Sequence, residues 1–290
     1  MGDVQTLSAA RFETDRPHLR AVAYRMLGSL SDAEDAVQET WLRAERADIA
    51  GVQNLTGWLT TVTGRVCLNM LRSRRARPEQ PYDDHTPTPE DGVDPEQEAL
   101  LADSVGVAML VVLNRLAPAE RLAFVLHDLF AVPFDDIAPL VERTPAATRQ
   151  PASRARRRVR GGAPATADLV RQREAVDAFL AAARGGDFEG LLALLDPDVV
   201  LTADKWVVPT PEAITLTGAR PVAESALAAT ARARFTGPAL LDGRVGLAMA
   251  PLGRLTLVLT FTVTATGITR IEVVADRDRL EGTEVAVLDA

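Results

Sequence analysis

The sequence predicts a multidomain protein in which two all-α segments precede an α+β domain. Three observations carry this. Residues 8–75 and 99–160 repeat apolar side chains at helical spacing. Between them, residues 78–98 hold Pro78, Pro81, Pro87, Pro89 and Pro95 among many acids, the composition of an extended linker. Beyond Ala163-Pro164-Ala165 come Val-, Leu-, Ile- and Thr-rich runs bounded by glycine, which read as strands. The predicted segments are therefore 1–77, 78–98, 99–162 and 163–290.

Each element has its own signal. Phe12, Leu19, Val22, Met26 and Leu27 predict a first helix, ended by Gly28. Ser31-Asp32-Ala33-Glu34 reads as a capping box, with Ser31 accepting from the backbone and Glu34 reaching back. The helix it opens has two stripes. Ala33, Val37, Trp41 and Ala44 are apolar, while Asp35, Gln38, Glu39 and Leu42 recur at i, i+3, i+4, i+7. A third helix runs from near Thr56 toward Arg75, with Leu59, Val62, Val66 and Met70 facing inward. Leu110, Leu113, Leu116, Leu122, Val125, Leu126 and Leu129 supply the core of the second helical segment. A short helix over 134–142 follows, then a tight turn and a helix opened by Thr144-Pro145. Threonine is a favoured cap and proline a favoured first residue. In the last domain, helices are predicted over 169–183, 188–195 and 221–235. Strands are predicted over 199–203, 239–249, 254–264 and 269–275, with turns marked by Gly243, Gly253 and Gly267.

Composition excludes several functions. With 47% hydrophobic and 25% charged residues the chain is globular, not disordered. It has no apolar run of the roughly 18–20 residues a membrane span needs. The first twelve residues lack a basic segment followed by an apolar one, so the chain reads as cytoplasmic. One cysteine, Cys67, excludes a disulfide framework and a cysteine-rich zinc site. His18, His85 and His127 lie far apart, and no metal or other cofactor is predicted.

The net charge of −8 argues against a nucleic-acid partner, but its distribution does not. Residues 71–77 hold four Arg and no acid, and residues 143–160 hold seven Arg and no acid. Between them, residues 78–103 hold nine Asp or Glu and no Lys or Arg. Local charge sets the electrostatic footprint on nucleic acid. The single lysine, Lys205, fits a genome that spells its basic residues as Arg, but codon bias does not explain the clustering.

The short helix, turn and Arg-rich helix read as a helix-turn-helix, whose second helix enters the major groove by its N-terminal part. Thr148, Arg149 and Ser153 are then placed to face base edges, and Arg154, Arg156, Arg157 and Arg158 to pair phosphates. A basic helix can equally be plain solvated surface. Pro151 stands about two turns into this helix. There it removes a backbone donor and clashes with the preceding turn, at about 3 kcal/mol, so a kink or early stop is predicted.

Several ordered motifs resemble bacterial sigma factors. Asp32-Ala33-Glu34-Asp35-Ala36-Val37-Gln38-Glu39-Thr40-Trp41-Leu42-Arg43 resembles their region 2.2. Residues 54–75, with Trp58-Leu59-Thr60-Thr61 and Leu71-Arg72-Ser73-Arg74-Arg75, are similar to regions 2.3 and 2.4. Leu116-Ala117-Pro118-Ala119-Glu120-Arg121, then Phe134-Asp135-Asp136-Ile137-Ala138, resemble the start of region 4, and residues 155–160 resemble its end. The likeness is to the extracytoplasmic-function group, which keeps only regions 2 and 4. Gln172-Arg173-Glu174-Ala175-Val176-Asp177-Ala178-Phe179-Leu180 and Asp196-Pro197-Asp198-Val199-Val200-Leu201 resemble the start of a SnoaL-like domain, the cone of nuclear transport factor 2. A sigma factor so extended resembles the J-type group of mycobacteria and streptomycetes.

The resemblance implies a non-enzymatic transcription initiation factor. It implies docking of Asp35, Gln38, Glu39 and Leu42 on the β′ clamp helices of core RNA polymerase, with the β flap as a further contact. It implies −10 recognition by Thr60, Thr61, Arg65, Asn69, Arg72, Arg74 and Arg75, and −35 recognition by the 148–158 set. Asn69-Met70 stands where many relatives have Asp-Arg, which implies a changed −10 preference. Val141-Glu142-Arg143 stands where relatives carry a turn glycine, and Pro151 where they carry leucine. Asp276-Arg277-Asp278-Arg279-Leu280 sits at the place of an Asn-Pro-Asp-Lys-Leu-like tail, matching at Asp278, Arg279 and Leu280. The resemblance implies regulation by the C-terminal domain, through intramolecular contact near that tail.

Two rival readings fit parts of the sequence. A SnoaL-like ligand-binding or cyclase-type enzyme fused to a DNA-binding module would use Asp or His in its cone. The last domain has no histidine, and Asp196, Asp198, Asp204 and Asp242 sit beside turn residues. Trp206 is placed to line a pocket or plug an interface. A one-component repressor would not need the 32–43 and 54–75 motifs.

Overall fold

The structure is a computed structural model that describes residues 7–76, 105–160, 167–208 and 212–288. The predicted linkers at 78–98 and 161–164 lie outside the described residues. Contacts divide the chain into two compact units. Residues up to 76 and 113–157 belong to the first, and 105–112 and 158–288 to the second.

In the first unit α1 (Ala9–Leu27) is capped by Ser8 and ends on Gly28, whose left-handed φ of 78° favours glycine. α2 (Leu30–Glu45) starts earlier than predicted. Ser29, not Ser31, is the cap, its hydroxyl accepting from the Asp32 N–H, and Glu34 instead pairs Arg16 and Arg20 of α1. The predicted apolar stripe holds: Ala33, Val37 and Ala44 are fully buried, and Trp41 packs on Phe12 with ring centroids 5.1 Å apart. α3 (Leu55–Ala76) buries Leu59 and Val66. Asp15 is buried on α1 and accepts from the Thr56 hydroxyl at 2.8 Å, tying α1 to the start of α3.

α4 (Val107–Arg115) precedes α5 (Pro118–Phe124), which continues as a π-helical turn, Val125–Leu129. α3 and α5 pack at Gly64, where a Cβ would lie 2.9 Å from one Leu126 methyl and 3.1 Å from a Leu122 methyl. The chain then forms α6 (Phe134–Ile137), a 3-10 turn (Ala138–Val141) and α7 (Pro145–Arg160). The predicted early stop at Pro151 does not occur: α7 runs through it to Arg160. Its ring is buried on the packed side, beside Ala152 and Ala155. Burial of the ring offsets the lost backbone bond.

Glu142 closes the α6–α7 connection with a left-handed φ of 56° where relatives were expected to have glycine. A non-glycine residue there costs about 1–2 kcal/mol. Glu142→Gly should therefore stabilise the first unit by about 1 kcal/mol after the entropy of glycine is subtracted. Urea unfolding of the full chain checks this, and a loss of stability would contradict it.

The second unit carries one mixed seven-stranded sheet in the order β2-β1-β6-β5-β4-β3-β7. Its strands are β1 (Leu195–Ala203), β2 (Ile214–Thr217), β3 (Thr236–Leu241), β4 (Arg244–Met249), β5 (Leu257–Thr264), β6 (Gly267–Val274) and β7 (Val285–Ala286). β1 and β6 run parallel; the other pairs are antiparallel. The segment read as one strand over 239–249 is a hairpin turning at Asp242-Gly243, both with positive φ. β2 and β7 were not predicted.

Helices α8 (Ala167–Gly185), α9 (Phe188–Leu194), α10 (Ala219–Ala228) and α11 (Thr230–Ala233) pack against one face. The helix predicted over 221–235 is thus split at Ala229. The core there includes Val176, Phe179, Leu191, Leu247, Phe261 and Ile271, with Phe179 edge-on to Phe261 at 5.3 Å. The other face, around Ala239, Ala248, Val258 and Val274, is covered by Val107, Ala108 and Val111 of α4, by Val285, and by Leu280 of α12 (Arg277–Gly282). Cover on both faces explains why β4 is buried at Val245–Met249 without alternation.

Candidate nucleic-acid interface

Three side-chain sets were predicted to meet partners. On α2, Asp35, Gln38 and Leu42 are exposed and Glu39 is half-buried, so the second stripe faces solvent as expected. Leu42 is 39% exposed, one of few large apolar side chains so placed among the described residues. Glu39 accepts from Arg43 at 2.8 Å one turn on.

On α3 the predicted DNA set divides. Arg65, Asn69, Arg72, Arg74 and Arg75 are exposed, and Thr61 is half-buried with its hydroxyl donated to the Trp58 carbonyl. Thr60 is a correction. It is 2% exposed, donates to the Thr56 carbonyl at 2.7 Å, and lies 2.9 Å from His18 Nε2. A threonine that bonds back along its own helix has its hydroxyl satisfied and can enter the core. Burial lowers the His18 pKa, with Asp15 opposing. Arg72 lies 3.9 Å from Glu142, Arg74 pairs Asp32, and Arg75 donates to the Leu116 carbonyl.

On α7, Thr148 is the second correction. It is fully buried and donates to the Thr144 carbonyl, so it shares the inward stripe Thr148, Ala152, Ala155, Val159. Arg149, Ser153, Arg154, Arg157 and Arg158 are exposed and Arg156 is half-buried. Arg154 pairs Glu120 at 2.9 Å and Arg156 pairs Asp128. These two acids neutralise part of the basic face.

Two features had no sequence signal. Arg121 on α5 is 4% exposed and donates to the Met26 carbonyl at the end of α1 and to Asn114. Burial, then Arg75 and Arg74, pull its pKa down to about 10. His127 and Phe134 stack with centroids 3.8 Å apart, and the Arg149 guanidinium sits over the other ring's centroid, that of Phe134, at 5.8 Å.

In the second unit, Asp276 caps α12 by accepting from the Arg279 N–H, Arg279 pairs Glu272 at 2.7 Å, Asp278 is exposed and Leu280 is buried. Asp204 accepts from the N–H groups of Ala275 and Asp276, each at 2.8 Å, and from that of Trp206. A cavity of about 380 Å³ lies against Asp204, Trp206, Asp276 and Arg279. Asp196, Asp204 and Asp242 all accept backbone or hydroxyl donors. The Thr266 hydroxyl holds the Asp196 carboxyl below the usual range, the wrong direction for a general acid. No group of three or more His, Cys, Asp or Glu is gathered for a metal among the described residues. None of the described helices is long and apolar enough to cross a membrane.

Residues 11–77, which hold α1 to α3, match the sigma-70 region 2 family. The chain is 41% identical over 208 residues to the ECF RNA polymerase sigma factor SigJ of Mycobacterium tuberculosis, covering 68% of this chain and 65% of that protein. It is 37% identical over 207 residues to the probable ECF RNA polymerase sigma factor SigI of the same species, covering 69% and 71%. The crystal structure of M. tuberculosis SigJ aligns at 32% identity over 95% of this chain and 99% of that one, with a TM-score of 0.45. The chain belongs to the extracytoplasmic-function sigma factors. It spans just under two thirds of the length of the first of these relatives.

Proposed function

We propose that this chain is a transcription initiation factor that binds core RNA polymerase and directs it to −10 and −35 promoter elements. The observation that carries the reading is the solvent-facing stripe Asp35, Gln38, Glu39, Leu42 on a helix inside the region 2 match. Acids around one apolar anchor suit a helical partner such as the β′ clamp. The −10 element is read by Thr61, Arg65, Asn69, Arg72, Arg74 and Arg75, combining backbone pairing with base-edge bonds. The −35 element is read by Arg149, Ser153, Arg154, Arg156, Arg157 and Arg158 from a helix-turn-helix over α6 and α7, with the β flap as a further contact.

The segments 1–77, 78–98, 99–162 and 163–290 act as region 2, linker, region 4 and a SnoaL-like domain. That last domain modulates activity through Asp276, Asp278, Arg279 and Leu280. The burial of Leu280 beside Val107, Ala108 and Val111 supports this, because it brings the tail to the first helix of region 4. The chain performs no chemistry itself; phosphodiester formation belongs to the polymerase.

Run-off transcription with core polymerase on genomic fragments tests the reading. Glu39→Arg with Leu42→Ala should weaken core binding more than tenfold, because it reverses one charge and removes the anchor. Both side chains are solvent-facing, so the melting temperature should stay within about 2 °C. Unchanged affinity in a titration would remove α2 as the docking face.

A further inference from the structure

With Thr148 buried, Arg149 is the N-terminal polar side chain of α7 left to face a groove, among those predicted to read bases there. That end of a recognition helix contacts base edges. Arg154 and Arg156, farther along, are paired with Glu120 and Asp128. Arg149 has no carboxylate partner among the described residues. Its neighbour is the Phe134 ring, 5.8 Å from guanidinium to centroid.

The ring is itself fixed. Phe134 is half-buried and begins α6 directly after Pro133, whose φ of −60° restricts the approach. Its other neighbour is His127, at 3.8 Å between centroids and 26° between planes. His127 Nδ1 lies 3.0 Å from the Val132 carbonyl, which holds the imidazole plane from the π-helical turn. The order is therefore imidazole, phenyl, guanidinium, each from a different element.

We infer that Phe134, braced by His127, is a positioning residue that pre-orients Arg149 to read one guanine of the −35 element. This rests on the −35 reading of α7 proposed above. A free arginine side chain loses rotamer entropy when it is fixed on a base. A ring that already restricts it removes part of that loss and leaves the planar fork free for O6 and N7 of guanine. The ring acts only through Arg149, so its effect belongs to one base position, not to overall affinity.

The test uses the full chain with core polymerase and a duplex pool randomised across the −35 hexamer. Arg149→Ala should erase the preference at one guanine by at least about fivefold, the low end for one bidentate contact. Phe134→Leu should weaken the same preference about threefold, as expected for an exposed cation–π contact. Phe134→Trp should retain it, and Phe134→Leu should add nothing on an Arg149→Ala background. Arg157→Ala should lower affinity evenly across the pool and reduce its salt dependence. The inference is overturned if Phe134→Leu and Arg149→Ala act additively at that position. It is also overturned if Phe134→Leu flattens every position equally, as plain loss of packing would. Should Phe134→Leu not fold, loss of the guanine preference in folded Phe134→Trp would equally overturn it, and retention would support it. If Arg149→Ala leaves the whole selected pool unchanged, the −35 reading of α7 itself falls.

Discussion

Replacing Arg121 by alanine will destabilise the first unit by about 3 kcal/mol. The guanidinium donates to the buried Met26 carbonyl at the end of α1 at 2.8 Å and to Oδ1 of the exposed Asn114 on α4 at 3.1 Å. Alanine leaves the Met26 carbonyl buried without this donor and opens a cavity, while Asn114 is exposed and meets solvent. The wild-type residue is nevertheless a poor stabiliser. It has no carboxylate partner among the described residues, its Nε is unbonded, and Arg74 and Arg75 repel it. At neutral pH the folded chain carries a desolvated cation. Arg121→Met keeps the stem volume and removes that charge, so it should cost about 1 kcal/mol, clearly less than alanine. Guanidinium unfolding followed by Trp41 and Trp58 fluorescence measures both variants. Equal losses for alanine and methionine would show that the carbonyl cap, which both variants remove, and not the packing of the stem, is what Arg121 supplies.

Leu280→Ala will cost about 2–4 kcal/mol in the second unit. Leu280 is 6% exposed in a cluster with Val107, Val111, Val258, Val274 and Val285. Its loss leaves Val107 and Val111 with a thinner cover. Hydrogen exchange of amides 107–112 should then quicken by more than tenfold. Under the proposed regulatory role, run-off transcription should rise in the same variant. Unchanged exchange at these amides would separate the tail from α4, and a rise in exchange without any change in transcription would sink the regulatory role alone. Arg279→Ala is a control for stability alone, since it removes a half-exposed pair with Glu272 worth less than about 1 kcal/mol.

What could be read from the sequence followed from local periodicity. The inward stripe of α2, the outward stripe beside it and the start of α7 at Pro145 all appear as read, because each depends on spacing within one helix. The failures share a cause too. Ser29 and Ser31 both suit a cap; Glu34 favoured Ser31, but the left-handed turn at Gly28 places Ser29 in the extended conformation a cap needs. Thr60 and Thr148 fall among the residues expected to face DNA, yet each is buried and satisfied by a carbonyl four residues back. Pro151 suggests a kink or early stop, but its ring is buried and the helix continues past it. Arg121 and Met26 are 95 residues apart, a separation at which spacing carries no information.

The turn after β1 has a practical consequence. Lys205 is the only lysine of the chain, and its ammonium lies 4.9 Å from the centroid of the Trp206 ring, which is 55% exposed. The preceding Asp204 is bound to the backbone that leads into α12. An amine-directed reagent therefore meets one side chain, and that side chain touches an indole. Because Asp204 ties this turn to the backbone that leads into α12, an environment-sensitive dye on Lys205 would sense the surroundings of this corner without a single engineered residue.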